Sequence, residues 1–151
     1  MTIMDGMASL VIASATYRAA DVTTALGIEP DWSAEKGDLR ARPGSANEPI
    51  RRRFHETSMW VLEVDSTPAT MMAVDDDDAK GFATLQVLAD RLMGRGPTLA
   101  QMRGAYDITL HWYGTSASPQ GGFVLPIQLV RDLAELGLDL IGNVYPYEPH
   151  D

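Results

Sequence analysis

Three histidines, His55, His111 and His150, are the side chains of this sequence best placed to exchange a proton near neutral pH. His111 lies in YDITLHWYG, residues 106–114, where apolar and polar residues alternate. Thr109, His111 and Tyr113 therefore share one face of an expected strand, with Asp107 at its start. Such a set could hold a small ligand or move a proton. Asp107 stands four residues from His111, about 13 Å at about 3.3 Å per residue. The two cannot hydrogen-bond directly, so this strand alone supplies no base with its orienting carboxylate. A neighbouring strand would have to bring one, and the plain alternative is a solvated or structurally bonded histidine. His150 stands next to the last residue, where chains fray.

Other catalytic signatures are absent from the sequence. There is no G-x-S-x-G turn, no P-loop and no H-E-x-x-H. Cysteine is absent, which excludes disulfides, a thiol nucleophile and every cysteine-ligated metal. GRG at 94–96 precedes Pro97 and reads as a helix stop, not a pyrophosphate cradle. DDDD at 75–78 lacks the spacing and glycine turn of a calcium loop. Four carboxylates just ahead of an expected helix suit its exposed N–H groups and dipole, with Asp77 or Asp78 as the cap. No metal and no cofactor is expected.

The densest charge is basic. Lys36, Arg40, Arg42, Arg51, Arg52 and Arg53 are six of the twelve basic residues, against two acids, Asp38 and Glu48, in the same span. Charges act locally within about 8 Å at physiological salt, so a basic patch can sit on an acidic chain. Two readings stay open. The arginines pair with Glu29, Asp31 and Glu35 and pin a long loop, or guard a strand edge. Alternatively their planar forks bind an anion or an acidic partner. Trp32, an aromatic among charges in the same loop, either anchors that contact or folds back onto the core.

These side chains need a scaffold, and 151 residues fit one domain, with a core expected over 8–147. Apolar residues are 45% and charged residues 22%, the balance of a globular chain. No apolar run is long enough to span a bilayer, and the start shows no signal-peptide pattern, so a cytoplasmic protein is expected. The net charge of −9 argues against nucleic acid and anionic membranes as partners. It serves solubility, and it would suit a basic protein.

Periodicity sets the elements. SLVIASA (9–15) reads as a buried strand. TYRAADVTTALG reads as a helix with Ala19, Val22 and Leu26 inward and Gly27 as its left-handed stop. Residues 29–57 read as a long polar loop without periodicity. MWVLEVDS (59–66) alternates, with Trp60, Leu62 and Val64 on one face. After a turn at Pro68, Phe82, Leu85, Ala89 and Leu92 mark a helix that Gly94 ends, and residues 98–103 form one more helical turn. The strand at 106–114 is followed by FVL (123–125) as a short strand. A helix then opens at Pro126 and closes at Gly137, and LDLIGNVY is the last strand. TTALGIEP and LAELGLDL echo each other, which suggests an internal duplication. The expected fold is α+β: an antiparallel sheet of about five strands with two to three helices on one face, in ferredoxin-like topology.

The apolar first strand, the helix ending in ALGIEPD, KGD at 36–38, MWVLEV, the glycine pair before FVLP, and LVRDLAELGLDLIGNVY together resemble a bacterial family, domain of unknown function 4279. The resemblance spans roughly residues 9–146. It implies a small bacterial α+β domain in the cytoplasm with no established activity, and it supplies no catalytic residues. Its members typically carry acids in the last strand; LIGNVYP here carries none. Some small bacterial families of this kind are immunity proteins against toxins, an association and not a chemistry. Sequence alone therefore favours a non-catalytic protein-binding module that uses the basic loop. A small-ligand binder or enzyme on the face of His111, Thr109 and Tyr113 is the alternative. The molecule is a monomer, or a homodimer joined through an exposed strand edge.

Overall fold

Alternation in the first strand organises the molecule. In β1 (Ile3–Ser14), Ala8, Leu10 and Ile12 are buried on one side, while Ser9 and Val11 fall on the other. The computed structural model describes residues 3–39, 54–72, 81–116, 118 and 123–146; the side chains of Met4, Asp5 and Met71 stand outside that description.

After β1 comes α1 (Ala19–Leu26), which buries Ala19, Val22 and Leu26 and stops at Gly27, whose φ of 66° is left-handed. Two strands follow, β2 (Trp32–Ala34) and β3 (Ser58–Asp65). Then come α2 (Pro68–Met72), α3 (Ala83–Leu92) and α4 (Gly96–Met102). The chain closes with β4 (Asp107–Ser116), α5 (Ile127–Leu136) and β5 (Leu140–Pro146). The sheet order is β2-β3-β1-β4-β5, antiparallel except between β4 and β5. The first six sheet-forming steps, β1-α1-β2-β3-α3-β4, are the βαββαβ unit with order β4-β1-β3-β2, which is the ferredoxin-like arrangement. α5 and β5 add a fifth strand parallel to β4, as a helix crossover requires.

The core lies between the sheet and one layer of helices. Leu10, Trp60, Leu62, Leu110 and Trp112 from the strands meet Val22, Leu85, Leu88, Leu99, Leu129 and Leu136 from the helices. The Trp60 indole N–H donates to Thr23 Oγ1 at 3.0 Å, so this buried ring keeps its polar group satisfied. No described helix packs on the opposite face.

Four expectations change. Phe123–Leu125 is irregular, and the fifth strand is instead β2, inside the stretch read as a loop. Three residues are too few to show a period, and β2 exists because β3 offers it an edge: Trp32, Ser33 and Ala34 pair with Val61, Trp60 and Met59. Pro68 opens a short helix where a turn was expected, since its fixed φ and missing N–H suit a first helical position. α3 begins at Ala83 with Phe82, not Asp77 or Asp78, in the N-cap position, and residues 75–78 lie outside the described set. Finally, Pro126 is the N-cap residue of α5, and Ile127 its first helical position.

Candidate functional site

Register places the chemistry. In a sheet, residues directly opposite share a face, so pairing of β1 with β3 and β4 assembles rows across the helix-free side. One row is Trp32, Val61, Val11 and Thr109. The next is Glu63, Ser9, His111 and Ile141, and the third Asp65, Met7, Tyr113 and Asn143. Thr115 and Tyr145 continue it. Val61 is 1% exposed although it stands outside the main core; its neighbours in the row are Trp32 and Val11.

Thr109, His111 and Tyr113 thus share one face, as the alternation predicts, and all are half-buried. The His111 and Tyr113 rings lie parallel, 6.1 Å apart at 5°. Tyr113 and Tyr145, diagonal across β4 and β5, follow at 6.4 Å and 19°. The result is a row of three rings running toward the β5 edge, a surface on which planar groups can lie. Ser9 stands directly opposite His111, and Nδ1 of His111 is buried without a hydrogen-bond partner among the described residues. Asp107 pairs with Ala13, two positions along β1 from Val11, and does not orient the imidazole. Among the described residues no carboxylate is paired with the His111 ring, so no base with its orienting partner is assembled there.

Trp32 is 39% exposed at the outer edge of β2, and its indole N–H points at Glu63 Oε1, 3.4 Å away. It therefore belongs to the same face, not to the tip of a loop. Lys36 lies at the base of the β2–β3 connection, where its Nζ donates to the carbonyl of Ala15 at 3.0 Å. That base is a ladder: Gly37 N–H to the His55 carbonyl, His55 N–H to the Asp38 carbonyl, and a bridge between Leu39 and Phe54. Arg40, Arg42, Arg51, Arg52 and Arg53 lie outside the described residues, as does His150.

Two carboxylates considered as anchors for those arginines have other partners. Glu35 accepts the N–H groups of Ala19 and Ala20 at 3.0 and 2.9 Å and the Ser58 hydroxyl at 2.9 Å. It caps α1 from across the fold, because Arg18 in the N-cap position provides no side-chain cap. Desolvation pushes the Glu35 carboxyl up, but the bonds from Ala20, Ala19 and Ser58 and the charge of Arg18 outweigh it and hold the group below its ordinary value. Asp31 accepts the Glu63 N–H at 2.7 Å and meets Arg91 of α3 at 3.5 Å. Among the described residues, no group of three His, Asp or Glu could hold a metal ion, and no helix is long and apolar enough to cross a membrane.

Sequence reading missed Ser9, Ile141 and Tyr145 as members of this face. Ser9 and Tyr145 do lie on alternating strands, but which strands are neighbours is a property of the whole sheet.

Nearly the whole chain, residues 2–147, matches the model of the family described as Domain of unknown function (DUF4279). No curated protein and no solved structure matches it.

Proposed function

This chain belongs to the DUF4279 family, and we propose that it is a non-catalytic protein-binding module that meets its partner with the helix-free face of the sheet. The observation that carries this reading is the row His111, Tyr113 and Tyr145, its rings parallel or nearly so, half-buried at His111 and Tyr113 and exposed at Tyr145. Aromatic side chains with a polar tip give large contact area at low entropic cost and dominate binding surfaces. Exposed Glu63 and Asp65 border the row, on a chain of net charge −9. A basic protein surface fits best, its arginine planes lying on the rings and its charge meeting those carboxylates. The basic segment around Arg51–Arg53 is a second contact in this reading, or a support for the β2–β3 connection.

The test is the affinity of a captured partner for the double variant His111→Ala, Tyr113→Ala. A loss of about 30-fold or more, the scale of a 2 kcal/mol hot spot, is expected. Undiminished affinity with an unchanged melting temperature would overturn the reading.

A ligand-binding or catalytic alternative rests on Ser9 facing His111. It requires turnover or ligand binding that His111→Gln abolishes while Tyr113→Phe leaves it intact.

A further inference from the structure

The two edges of the sheet differ. β2 is three residues long, and a short edge offers little to an incoming strand. β5 is seven residues, Leu140–Pro146, and carries no charge; only Pro146, at its end, limits pairing. Edges of this length are usually guarded by charge, a bulge or a covering element. Among the described residues β5 shows neither charge nor bulge and stands last in the strand order, with Ile141, Gly142 and Tyr145 exposed.

Its sequence is complementary to itself. Set antiparallel to a second copy about a two-fold axis at Asn143, Ile141 falls opposite Tyr145 of the second copy, and Tyr145 opposite its Ile141. Both pairs lie on the helix-free face, where Ile141 is 48% and Tyr145 53% exposed. Asn143 meets its own copy, amide to amide, and Gly142 meets Val144 on the helix side, small against β-branched. Apolar–aromatic cross-strand pairs of this kind stabilise a sheet. Shifting the axis by one residue to Gly142 would set Tyr145 against Asp139, and to Val144 would set Tyr145 against Asn143, so the register at Asn143 is the best matched.

The flanking helix carries a matching stripe. In α5, Asp132 points toward α3, accepting a hydrogen bond from Gln86 Nε2 at 2.9 Å. Val130 and Ala134 are each two residues from Asp132, about 200° around a helix of 3.6 residues per turn. They lie on the side away from α3, with Val130 facing sideways; Ile127, about 160° from the buried Leu129, points away from the sheet. Ile127 is 67% and Val130 42% exposed, and Ala134 is exposed too. Since α5 is the crossover helix between β4 and β5, the side away from α3 is the side of the β5 edge. A second copy added at β5 brings its own α5 alongside, stripe to stripe.

We infer that this chain forms a two-fold homodimer through antiparallel β5–β5 pairing, with α5 packed on α5. The sheet becomes ten-stranded and continuous, and the two aromatic rows meet near the axis. The inference stands on the edge and the stripe, independently of what the helix-free face binds. Like charge opposes it, since each copy carries −9, so the dimer strengthens as salt rises over the range where the Debye length shrinks.

Because the chain has no cysteine, one introduced thiol reads the axis. Residues paired across an antiparallel ladder have Cα atoms about 4.5–5.5 Å apart, inside the disulfide range of about 4.4–6.8 Å. Under mild oxidation Asn143→Cys should give a covalent dimer, whereas Ile141→Cys, whose copies would be about 13 Å apart along the strand, should not. Sedimentation of the unaltered chain should show a dimer, and Ile141→Lys with Val130→Lys should weaken it by about tenfold or more while leaving the circular dichroism intact. Trp32→Lys at the far edge should leave the dimer unchanged. A chain that sediments as a monomer at all concentrations and salts overturns the inference. So does a dimer that the Ile141→Lys, Val130→Lys variant leaves intact, or one whose crosslinking is no faster at Asn143→Cys than at Ile141→Cys.

Discussion

Glu35 joins three parts of the molecule with one carboxylate: the start of α1, the end of β2 and, through Ser58, the start of β3. Replacing it by Ala leaves two helix N–H groups without acceptors, and the expected loss is about 1–2 kcal/mol, as for other lost caps. Its pH signature follows from a carboxyl held below its ordinary value. Such a group contributes fully above the unfolded-state pKa, and the contribution disappears as pH falls through the folded-state pKa. The gap in melting temperature between wild type and Glu35→Ala should therefore be widest at neutral pH and close in acid; a gap constant across that range would show that the charge has no part in it. Gly114 acts through space. A Cβ there would lie 2.7 Å from the buried Trp112 ring and 3.1 Å from Ile3, and Phe82 already packs on that ring at 4.6 Å. Gly114→Ala is expected to cost about 1–3 kcal/mol by overpacking, measured as a drop in the denaturant midpoint at unchanged slope. At this scale the sequence was legible where alternation speaks. His111, Thr109 and Tyr113 share the face that their spacing predicts. Glu35 was one of three carboxylates offered as partners for the arginines; the role the fold gives it, capping a helix sixteen residues away in sequence, is a partnership that only the folded chain creates.

Two of the three helix crossovers explain the echo between TTALGIEP and LAELGLDL. α1 joins β1 to β2, and α5 joins β4 to β5. Each ends on a glycine with φ of 66°, at Gly27 and Gly137. The repeated Leu-Gly is thus the same structural step made twice, a left-handed stop from which an extended strand can leave. Long elements were legible for the same reason: α1 buries Ala19, Val22 and Leu26, and α3 buries Leu85, Ala89 and Leu92, the residues their periodicity marks. β2 was not, because three residues have no period and its strand character comes from pairing with β3. Its shortness has a dynamic consequence. β1 is paired on both sides from Met7 to Ala13, while β2 pairs with β3 alone among the described strands. Native-state hydrogen exchange should be slowest in β1 and fastest among the strands in β2. Equal protection of the two would contradict the pairing described here.

For the whole molecule, the ferredoxin-like unit with its added α5 and β5 has its described helices on one face of the sheet, while the other face carries His111, Tyr113 and Tyr145. The order of strands and helices indicated the α+β class, and alternation in residues 106–114 indicated a strand with one wet face. The identity of the outermost strand was not legible, since edge position depends on which strands pair. Charge divides the same way. The basic segment from Lys36 to Arg53 stood out in sequence, yet Lys36 is bonded to the Ala15 carbonyl and Trp32 belongs to the sheet face. Arg40, Arg42, Arg51, Arg52 and Arg53 lie outside the described residues, so the face of His111 and Tyr113 is the proposed contact and the basic loop its competitor. The most direct measurement sets the two surfaces against each other. Partners would be captured from host lysate with three baits matched for melting temperature: the wild type, His111→Ala with Tyr113→Ala, and Arg51→Ala with Arg52→Ala and Arg53→Ala. A protein held by the wild type and the arginine variant, and lost from the His111, Tyr113 variant, is the predicted result. A partner that survives loss of both rings and disappears with the arginines would contradict the assignment and return the contact to the basic loop.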